Sequence, residues 1–290
     1  MKLLSNTHKG ELYAATSGLM YGLIGYFGVQ IINAGNTVSN MSSWRYITAF
    51  FIAATILVIQ SKKLSINRSD LFKIFIYGAK FYSPCSMVFF YASEYIGTGI
   101  SMVIFFTYPA IVILLNRILY KTKINRLYYL SITVIFVGMT LLADFSDAQF
   151  NVNGILFALC SAIGYGCYIT ACQNIKNIDP VLSTCVVSIG CAFTGIIFAL
   201  YQGAFYMPSG IHTWANIIGM ALICTALPIL FLLEAMKYIS STKASILSVL
   251  EPVFVVIFGM ILLDEQISFM QGLGVVIVLA GALLALRCKK

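Results

Sequence analysis

The sequence predicts an all-α membrane protein in which ten transmembrane helices form two inverted five-helix repeats. First, 60% of the 290 residues are hydrophobic and only 10% are charged, whereas soluble domains are about one-quarter charged. Second, apolar runs of about 20 residues, long enough to cross a bilayer, recur along the whole chain. Third, the second half of the chain repeats motifs of the first half, as in proteins built from internal repeats.

The apolar runs define ten spans, and the polar connections between them are too short to hold a soluble domain. The spans are 11–33, 43–60, 70–92, 98–119, 127–143, 152–174, 181–203, 214–236, 242–263 and 268–286. The first run follows Lys2 and Lys9, as in a signal peptide. Because it is long for one and its sequence recurs later in the chain, we interpret it as a retained helix.

The basic residues cluster on one side of this arrangement. If the N-terminus is cytoplasmic, the inner segments contain every Lys and Arg except Arg45 and Lys80, which lie within spans. These inner residues are Lys2, Lys9, Lys62, Lys63, Arg68, Lys73, Arg117, Lys121, Lys123, Arg126, Lys176, Lys237, Lys243, Arg287, Lys289 and Lys290. The outer loops instead carry Glu94, Asp144, Asp147, Asp264 and Glu265. The positive-inside rule therefore places both termini in the cytoplasm. The net charge of +8 then reflects topology and not nucleic-acid binding.

The sequence lacks the patterns typical of metal sites, cofactor sites and common enzymes. The eight cysteines lie mostly within apolar runs, Cys167 and Cys172 lack metal-site spacing, and the histidines are His8 and His212. The chain contains no glycine-rich phosphate loop, H-E-x-x-H motif or G-x-S-x-G elbow. We therefore expect no metal, no cofactor and no enzymatic activity, and an energy source in substrate or ion gradients.

Motifs of the first half recur 143 or 144 residues later. Lys9–Gly22 matches Asn153–Gly166, and Tyr91–Ile96 resembles Glu234–Ile239. The prolines recur in the same order, since Pro84 pairs with Pro228 and Pro109 with Pro252. We divide the chain into repeats 1–146 and 147–290. Because five spans return the chain to the opposite side of the membrane, the repeats should have inverted topology, as in many secondary transporters.

The ninth span and its counterpart in the fourth carry recognisable motifs. They are S-M-V-I-F-F-T-Y-P (101–109) and A-S-I-L-S-V-L-E-P (244–252), and L-L-D-E (262–265) closes the ninth span. With the two five-span halves, these motifs resemble the EamA family of the drug/metabolite transporter superfamily. The resemblance implies a bacterial inner-membrane carrier of amino acids or related metabolites, with a central cavity lined by spans three, four, eight and nine, among others. Lys80 is not part of the family pattern.

Glu251 lies near the middle of the ninth span, where a carboxylate is costly unless it faces protein or a water-filled cavity. It could line the cavity and bind a cationic group, or take up a coupling proton. Alternatively, it is a structural carboxylate at the helix break that Pro252 causes, or the partner of a buried cation.

Lys80 lies near the centre of the third span, too deep to reach the interface easily. It could hold a substrate carboxylate or phosphate, or pair with Glu251 or Glu234. By three-and-four spacing, Tyr77, Pro84, Met87 and Tyr91 share its face, and Pro84 can free a carbonyl toward a cavity.

Further candidates surround these charges. Tyr108 occupies in the first half the position that Glu251 has in the second, and it shares a helix face with Phe105. Ser248 lies on the face of Glu251 in the same way. Small residues such as Ser248 also allow close helix packing. Tyrosines well inside spans could line an aromatic cavity for a flat or cationic substrate: Tyr21, Tyr26, Tyr165 and Tyr168. Arg45, beside Trp44, could be a salt-bridge partner or an outer gate, but we interpret it as an interfacial anchor. Pro84, Pro109 and Pro252 are candidate gating positions.

These observations predict a secondary transporter that moves a small metabolite by alternating access. Its expected partners are a small-molecule substrate and the lipid bilayer, without nucleic acid; a coupling proton and a homodimeric assembly stay open. One alternative is an importer of a nucleoside-bearing metabolite such as S-adenosylmethionine. The other is a membrane-embedded lipid-modifying enzyme, which the central depth of Lys80 and Glu251 disfavours.

Overall fold

The computed structural model describes residues 6–60, 67–143, 150–175, 178–262 and 266–287. Within these ranges the regular structure is entirely helical. Some residues of the charge pattern lie outside the described residues: Lys2, Lys62, Lys63, Asp144, Asp147, Lys176, Asp264, Glu265, Lys289 and Lys290.

The helices follow the predicted apolar runs, and several are interrupted. Those of the first half are α1 (Asn6–Tyr21), α2 (Ile24–Asn33), α3 (Val38–Gln60), α4 (Arg68–Tyr77), α5 (Ser83–Ile96), α6 (Thr98–Phe105), α7 (Tyr108–Tyr120) and α8 (Arg126–Leu142). Those of the second half are α9 (Val152–Cys172), α10 (Pro180–Tyr201), α11 (Ile211–Ala221), α12 (Leu227–Tyr238), α13 (Ser241–Ser248), α14 (Glu251–Leu262) and α15 (Phe269–Leu286). A π-helical turn joins α4 to α5 (Gly78–Tyr82), and another joins α11 to α12 (Leu222–Ala226).

The interruptions recur at equivalent points of the two halves because the prolines recur. Pro84 and Pro228 each follow a π-helical turn, and Pro109 and Pro252 each follow a break. Proline has no N–H for the carbonyl four residues earlier, so the regular helix cannot continue unchanged. The first predicted span is an exception: it splits between α1 and α2, whereas its counterpart α9 is continuous. Asn6–Asn33 is nevertheless one stretch long and apolar enough to cross a membrane, so the span predicted at 11–33 is present with a break in its helix.

The protein is a multi-pass membrane protein. Within the described ranges, eight helical stretches are long and apolar enough to cross a membrane, and α8 is a shorter apolar helix. The stretch formed by α4, its π-helical turn and α5 does not belong to these eight. The count of ten spans therefore stays a prediction.

Helices from different halves pack against one another in equivalent pairs. The pair α1 with α12 corresponds to α9 with α5, while α3 packs on α10 and α8 on α15. A Cβ at Gly10 would lie 2.8 Å from the Cβ of Tyr238, and one at Gly154 would lie 2.7 Å from the Cβ of Tyr95. Only glycine permits such an approach, so this packing depends on the glycines of the repeated motif.

Candidate functional site

A cavity of about 360 Å³ lies inside the bundle beside the helix breaks. It extends from the start of α14 toward the end of the bundle where α2 ends and α6 begins. Its lining residues are Tyr21, Ile24, Gly25, Gly28, Val29, Ile32, Arg45, Tyr82, Cys85, Ser86, Phe89, Phe90, Ser93, Thr98, Met102, Phe105, Phe106, Tyr165, Glu251 and Val255. A mostly apolar cavity of this size with a few polar groups is typical of small-molecule sites.

Glu251 reaches the cavity because the helix breaks immediately before it. α13 ends at Ser248, α14 begins at Glu251, and the buried Pro252 follows. The carboxylate is partly exposed to the cavity. It forms no hydrogen bond or ion pair with any residue that the structure describes. The cavity therefore contains a carboxyl group that has no hydrogen-bond or close ion-pair partner among those residues.

Arg45 is the second charged group of the cavity, and it is only 2% exposed. Its Nε donates to Oγ1 of Thr225 at 2.6 Å, and its Nη2 donates to the carbonyl of Cys224 at 3.2 Å. That carbonyl is available because Pro228, four residues later, has no N–H. Nη1 is buried without a hydrogen-bond partner in the described part of the chain. The prediction of an interfacial anchor was therefore wrong, because Arg45 is held inside the bundle.

Tyrosines close the base of the cavity. The hydroxyls of Tyr21 and Tyr82 are hydrogen-bonded at 2.8 Å. The ring of Tyr165 meets that of Tyr108 edge to face, with centroids 4.7 Å apart. Behind them, the hydroxyl of Tyr108 donates to the carbonyl of Ser245 at 3.2 Å. Tyr21 and Tyr165, which occupy equivalent positions in the two repeats, thus both contribute to the cavity wall.

The structure brings some of the predicted binding residues to the cavity and leaves others behind it. Those that line it are Tyr21, Phe105, Tyr165 and Glu251. Tyr108, Tyr168 and Ser248 are buried but do not line the cavity, and Tyr26 packs against Phe27 with ring centroids 5.4 Å apart. Their roles in binding, and those of the prolines in gating, stay predictions.

Lys80 does not reach this cavity. Its side chain is exposed, its Nζ lies 5.9 Å from the ring centroid of Phe81, and it forms no ion pair with Glu251. Lys80 and Tyr82 are two residues apart in the π-helical turn, so their side chains point to nearly opposite sides of the helix. Because Tyr82 faces the cavity, Lys80 faces away from it. The alternative in which Lys80 pairs with Glu251 was therefore wrong.

A network of polar side chains closes the opposite end of the bundle, where α1 begins and α15 ends; we call this the basic end. Nδ2 of Asn116 donates to Oγ of Ser241 at 2.9 Å, and Nε2 of Gln173 donates to Oδ1 of Asn116 at 2.7 Å. Lys243 forms a buried ion pair with Glu11, with Nζ and Oε1 2.5 Å apart. We call these five residues and Thr242, which also accepts from Asn116, the polar layer.

The profile described as the EamA-like transporter family matches residues 8–143 and again residues 152–287. The chain belongs to this family. It is therefore a membrane transporter of the drug/metabolite transporter superfamily with a duplicated EamA domain. The two matches stop and restart close to the predicted boundary between residues 146 and 147.

Relatives of this EamA protein agree with the assignment. The uncharacterized transporter YxxF of Bacillus subtilis is 23% identical over 282 residues, which cover 93% of this chain and 87% of that protein. An uncharacterized transporter of Archaeoglobus fulgidus is 25% identical over 180 residues, which cover 62% of this chain and 63% of that protein. A solved crystal structure shares the fold with a TM-score of 0.82 at 13% identity, covering 95% of this chain and 96% of that chain.

Several residues that line the cavity of this EamA protein were missed from the sequence, and one span was wrongly assigned to its wall. Tyr82 lines it from the π-helical turn, and Ser86, Phe89 and Ser93 line it from α5. Their three-and-four spacing across polar and aromatic residues was an available signal. The eighth predicted span contributes no lining residue among those described; its π-helical turn instead holds Arg45. The expectation that span eight lines the cavity was therefore wrong.

Proposed function

We propose that this EamA-family protein is a secondary transporter of a small zwitterionic metabolite, an amino acid or a related compound. The observation that carries the proposal is that Arg45 and Glu251 line one cavity without forming an ion pair. A buried charge without a partner is costly. A zwitterion supplies both partners, because its carboxylate can bind the free Nη1 of Arg45 and its ammonium group can bind Glu251.

The rest of the cavity fits the side chain of such a substrate. Its volume of about 360 Å³ is that of a small metabolite site. Phe89, Phe90, Phe105 and Phe106 supply aromatic surface. The same aromatic surface favours a second candidate substrate, a nucleoside-bearing metabolite such as S-adenosylmethionine, because a nucleobase could stack on it.

Alternating access is the mechanism that these features favour. The cavity extends toward one end of the bundle, while the polar layer closes the basic end. The paired contacts support two inverted repeats: Gly10 meets Tyr238 while Ser17 bonds the carbonyl of Pro228, so α1 and α12 run antiparallel. We propose a bacterial inner-membrane location, and the positive-inside rule favours an orientation with the basic end in the cytoplasm.

Binding measurements on purified protein test the role of Arg45. For an L-amino acid that binds, we expect Arg45→Gln to weaken affinity by about 10- to 100-fold, since a hydrogen bond to a charged group contributes about 1.5–3 kcal/mol. The corresponding amine, which lacks the carboxylate, should bind the parent and Arg45→Gln almost equally. Isothermal titration against a panel of amino acids and their amines gives these values.

Lys80→Gln is the matched control, because Lys80 is also a cation within a span but its side chain does not line the cavity. It should leave affinity within about twofold. If amine and amino acid bind the parent equally well, or if Lys80→Gln weakens binding as much as Arg45→Gln, the assignment of the carboxylate to Arg45 is wrong.

A further inference from the structure

A pocket of about 510 Å³ lies at the basic end, between the C-terminus of α7 and the N-terminus of α8. Four of its lining residues are the exposed cations Arg117, Lys121, Lys123 and Arg126. We call these four residues and the pocket they line the α7–α8 corner. Four cations around one opening form a strongly positive site.

The acidic residues at the basic end are already engaged elsewhere. Glu11 pairs with Lys243, Asp70 with Lys73, and Glu234 with Lys237. Asp179 accepts from the amides of Val181 and Leu182. Within the described ranges, the four cations of the α7–α8 corner form no ion pair with any of these acids. The corner's charge is therefore available to an external anion.

The surface beside the corner indicates what carries that anion. Leu114, Ile118 and Leu130 are 54%, 62% and 51% exposed on α7 and α8. Tyr120 and Tyr129 are also exposed there, and tyrosine is enriched where a membrane meets water. A free phosphate would use the cations alone, whereas a phospholipid would use both the cations and the apolar surface.

We propose that the α7–α8 corner binds an anionic phospholipid. The phosphate of the headgroup lies among Arg117, Lys121, Lys123 and Arg126, and the acyl chains lie along Leu114, Ile118 and Leu130. Clusters of basic residues at the cytoplasmic side of membrane helices recognise anionic headgroups in this way. The site is separate from the cavity and does not depend on the identity of the transported substrate.

Native mass spectrometry of the detergent-solubilised full chain tests this site. The probes are dioleoylphosphatidylglycerol and dioleoylphosphatidylcholine, and the phosphatidylglycerol should bind roughly tenfold more tightly. Lys121→Gln/Lys123→Gln should weaken phosphatidylglycerol binding by roughly tenfold or more, because two cations are removed. Arg126→Gln should show a smaller loss, and phosphatidylcholine binding should not change.

The matched control is Arg68→Gln/Lys73→Gln, which removes two cations from the same end but outside the corner. It should bind phosphatidylglycerol within about twofold of the parent, and unchanged thermal unfolding midpoints should show that every variant folds. Equal binding of the two lipids, or equal losses in the two double variants, overturns the proposal. Displacement of phosphatidylglycerol by equimolar glycerol phosphate shows that a soluble phosphate suffices, and likewise overturns it.

Discussion

Tyr108 and Glu251 occupy the same position in the two repeats, each as the first residue after a helix break. Their surroundings differ. Tyr108 is fully buried, and its hydroxyl donates to the carbonyl of Ser245. Glu251 is partly exposed to the cavity and has no described partner. The residue after the break in the first half thus forms a contact between the two halves, whereas the residue after the break in the second half places a carboxyl group in the cavity.

If a proton and the substrate's ammonium group compete for the carboxylate of Glu251, acidification should weaken binding of the substrate. Protonation removes the negative charge that attracts the ammonium group, so the apparent affinity of the parent should fall as pH falls. Glu251→Gln should bind more weakly and show no such pH dependence. Binding titrations of purified protein between about pH 5 and 8 measure this.

Tyr108→Phe is the control for that experiment, because it changes the equivalent position of the other repeat. It loses one hydrogen bond, which costs about 1 kcal/mol of stability, and should keep the parent's pH dependence. A Glu251→Gln protein whose affinity still follows pH as in the parent would exclude Glu251 as the titrating group.

At the scale of the helices, broken elements supply the polar groups of the site. The π-helical turn between α11 and α12 precedes Pro228, and the carbonyl of Cys224 bonds Arg45 instead of a helical amide. The equivalent turn in the first half packs differently: the carbonyl of Ala79 accepts from Oγ1 of Thr194 at 2.7 Å. In the second half, the carbonyl that Pro228 leaves without a helical amide thus positions a charge of the cavity.

The polar layer closes the basic end through contacts between helices, and its ion pair is nearly buried. The side chains of Lys243 and Glu11 are 6% and 14% exposed. Removing one member of a buried pair leaves an uncompensated charge, which costs about 3–5 kcal/mol. We therefore expect Glu11→Gln to lower the population of the conformation seen here, in which the polar layer is formed and the cavity extends toward the opposite end. Because fewer molecules then have a binding-competent cavity, the apparent substrate affinity should fall by more than about tenfold.

Glu234→Gln is the control for the polar layer, because it breaks a more exposed pair at the same end, that of Glu234 with Lys237, whose side chains are 23% and 31% exposed. Exposed pairs contribute about 0–1 kcal/mol, so its affinity should change by less than about twofold. Calorimetric titration and thermal unfolding are measured together. A lower unfolding midpoint in Glu11→Gln with unchanged affinity would mean that the ion pair stabilises the fold without gating it.

At the scale of the whole molecule, the sequence predicted the positions of helices better than the directions of their side chains. Apolar runs and prolines located the helices and most of their breaks, because length and hydropathy determine what can cross a bilayer. The face of a helix is harder to predict, since lipid and protein interior are both apolar. Lys80 was assigned to the cavity on the basis of its charge, and Arg45 to the interface on the basis of its place near the end of a span.

Other features depend on contacts that no local pattern encodes. Arg45 is buried because a carbonyl and a hydroxyl from the other half of the chain hold it. The polar layer joins Asn116 of α7 to Gln173 and Ser241, which are far away in sequence. The repeated motif serves the packing of the two halves, since Gly10 and Gly154 make equivalent close contacts.

The inverted arrangement of the two repeats predicts that equivalent residues lie on opposite sides of the membrane. His8 and Val152, separated by the repeat spacing of 144 residues, are exposed near the starts of α1 and α9. In a variant whose native cysteines are replaced, a membrane-impermeant maleimide added to intact cells should label Val152→Cys. His8→Cys should be labelled only after permeabilisation, because positive charge retains its end in the cytoplasm. Equal labelling of the two positions in intact cells would contradict inverted topology, since a parallel duplication places both starts on one side.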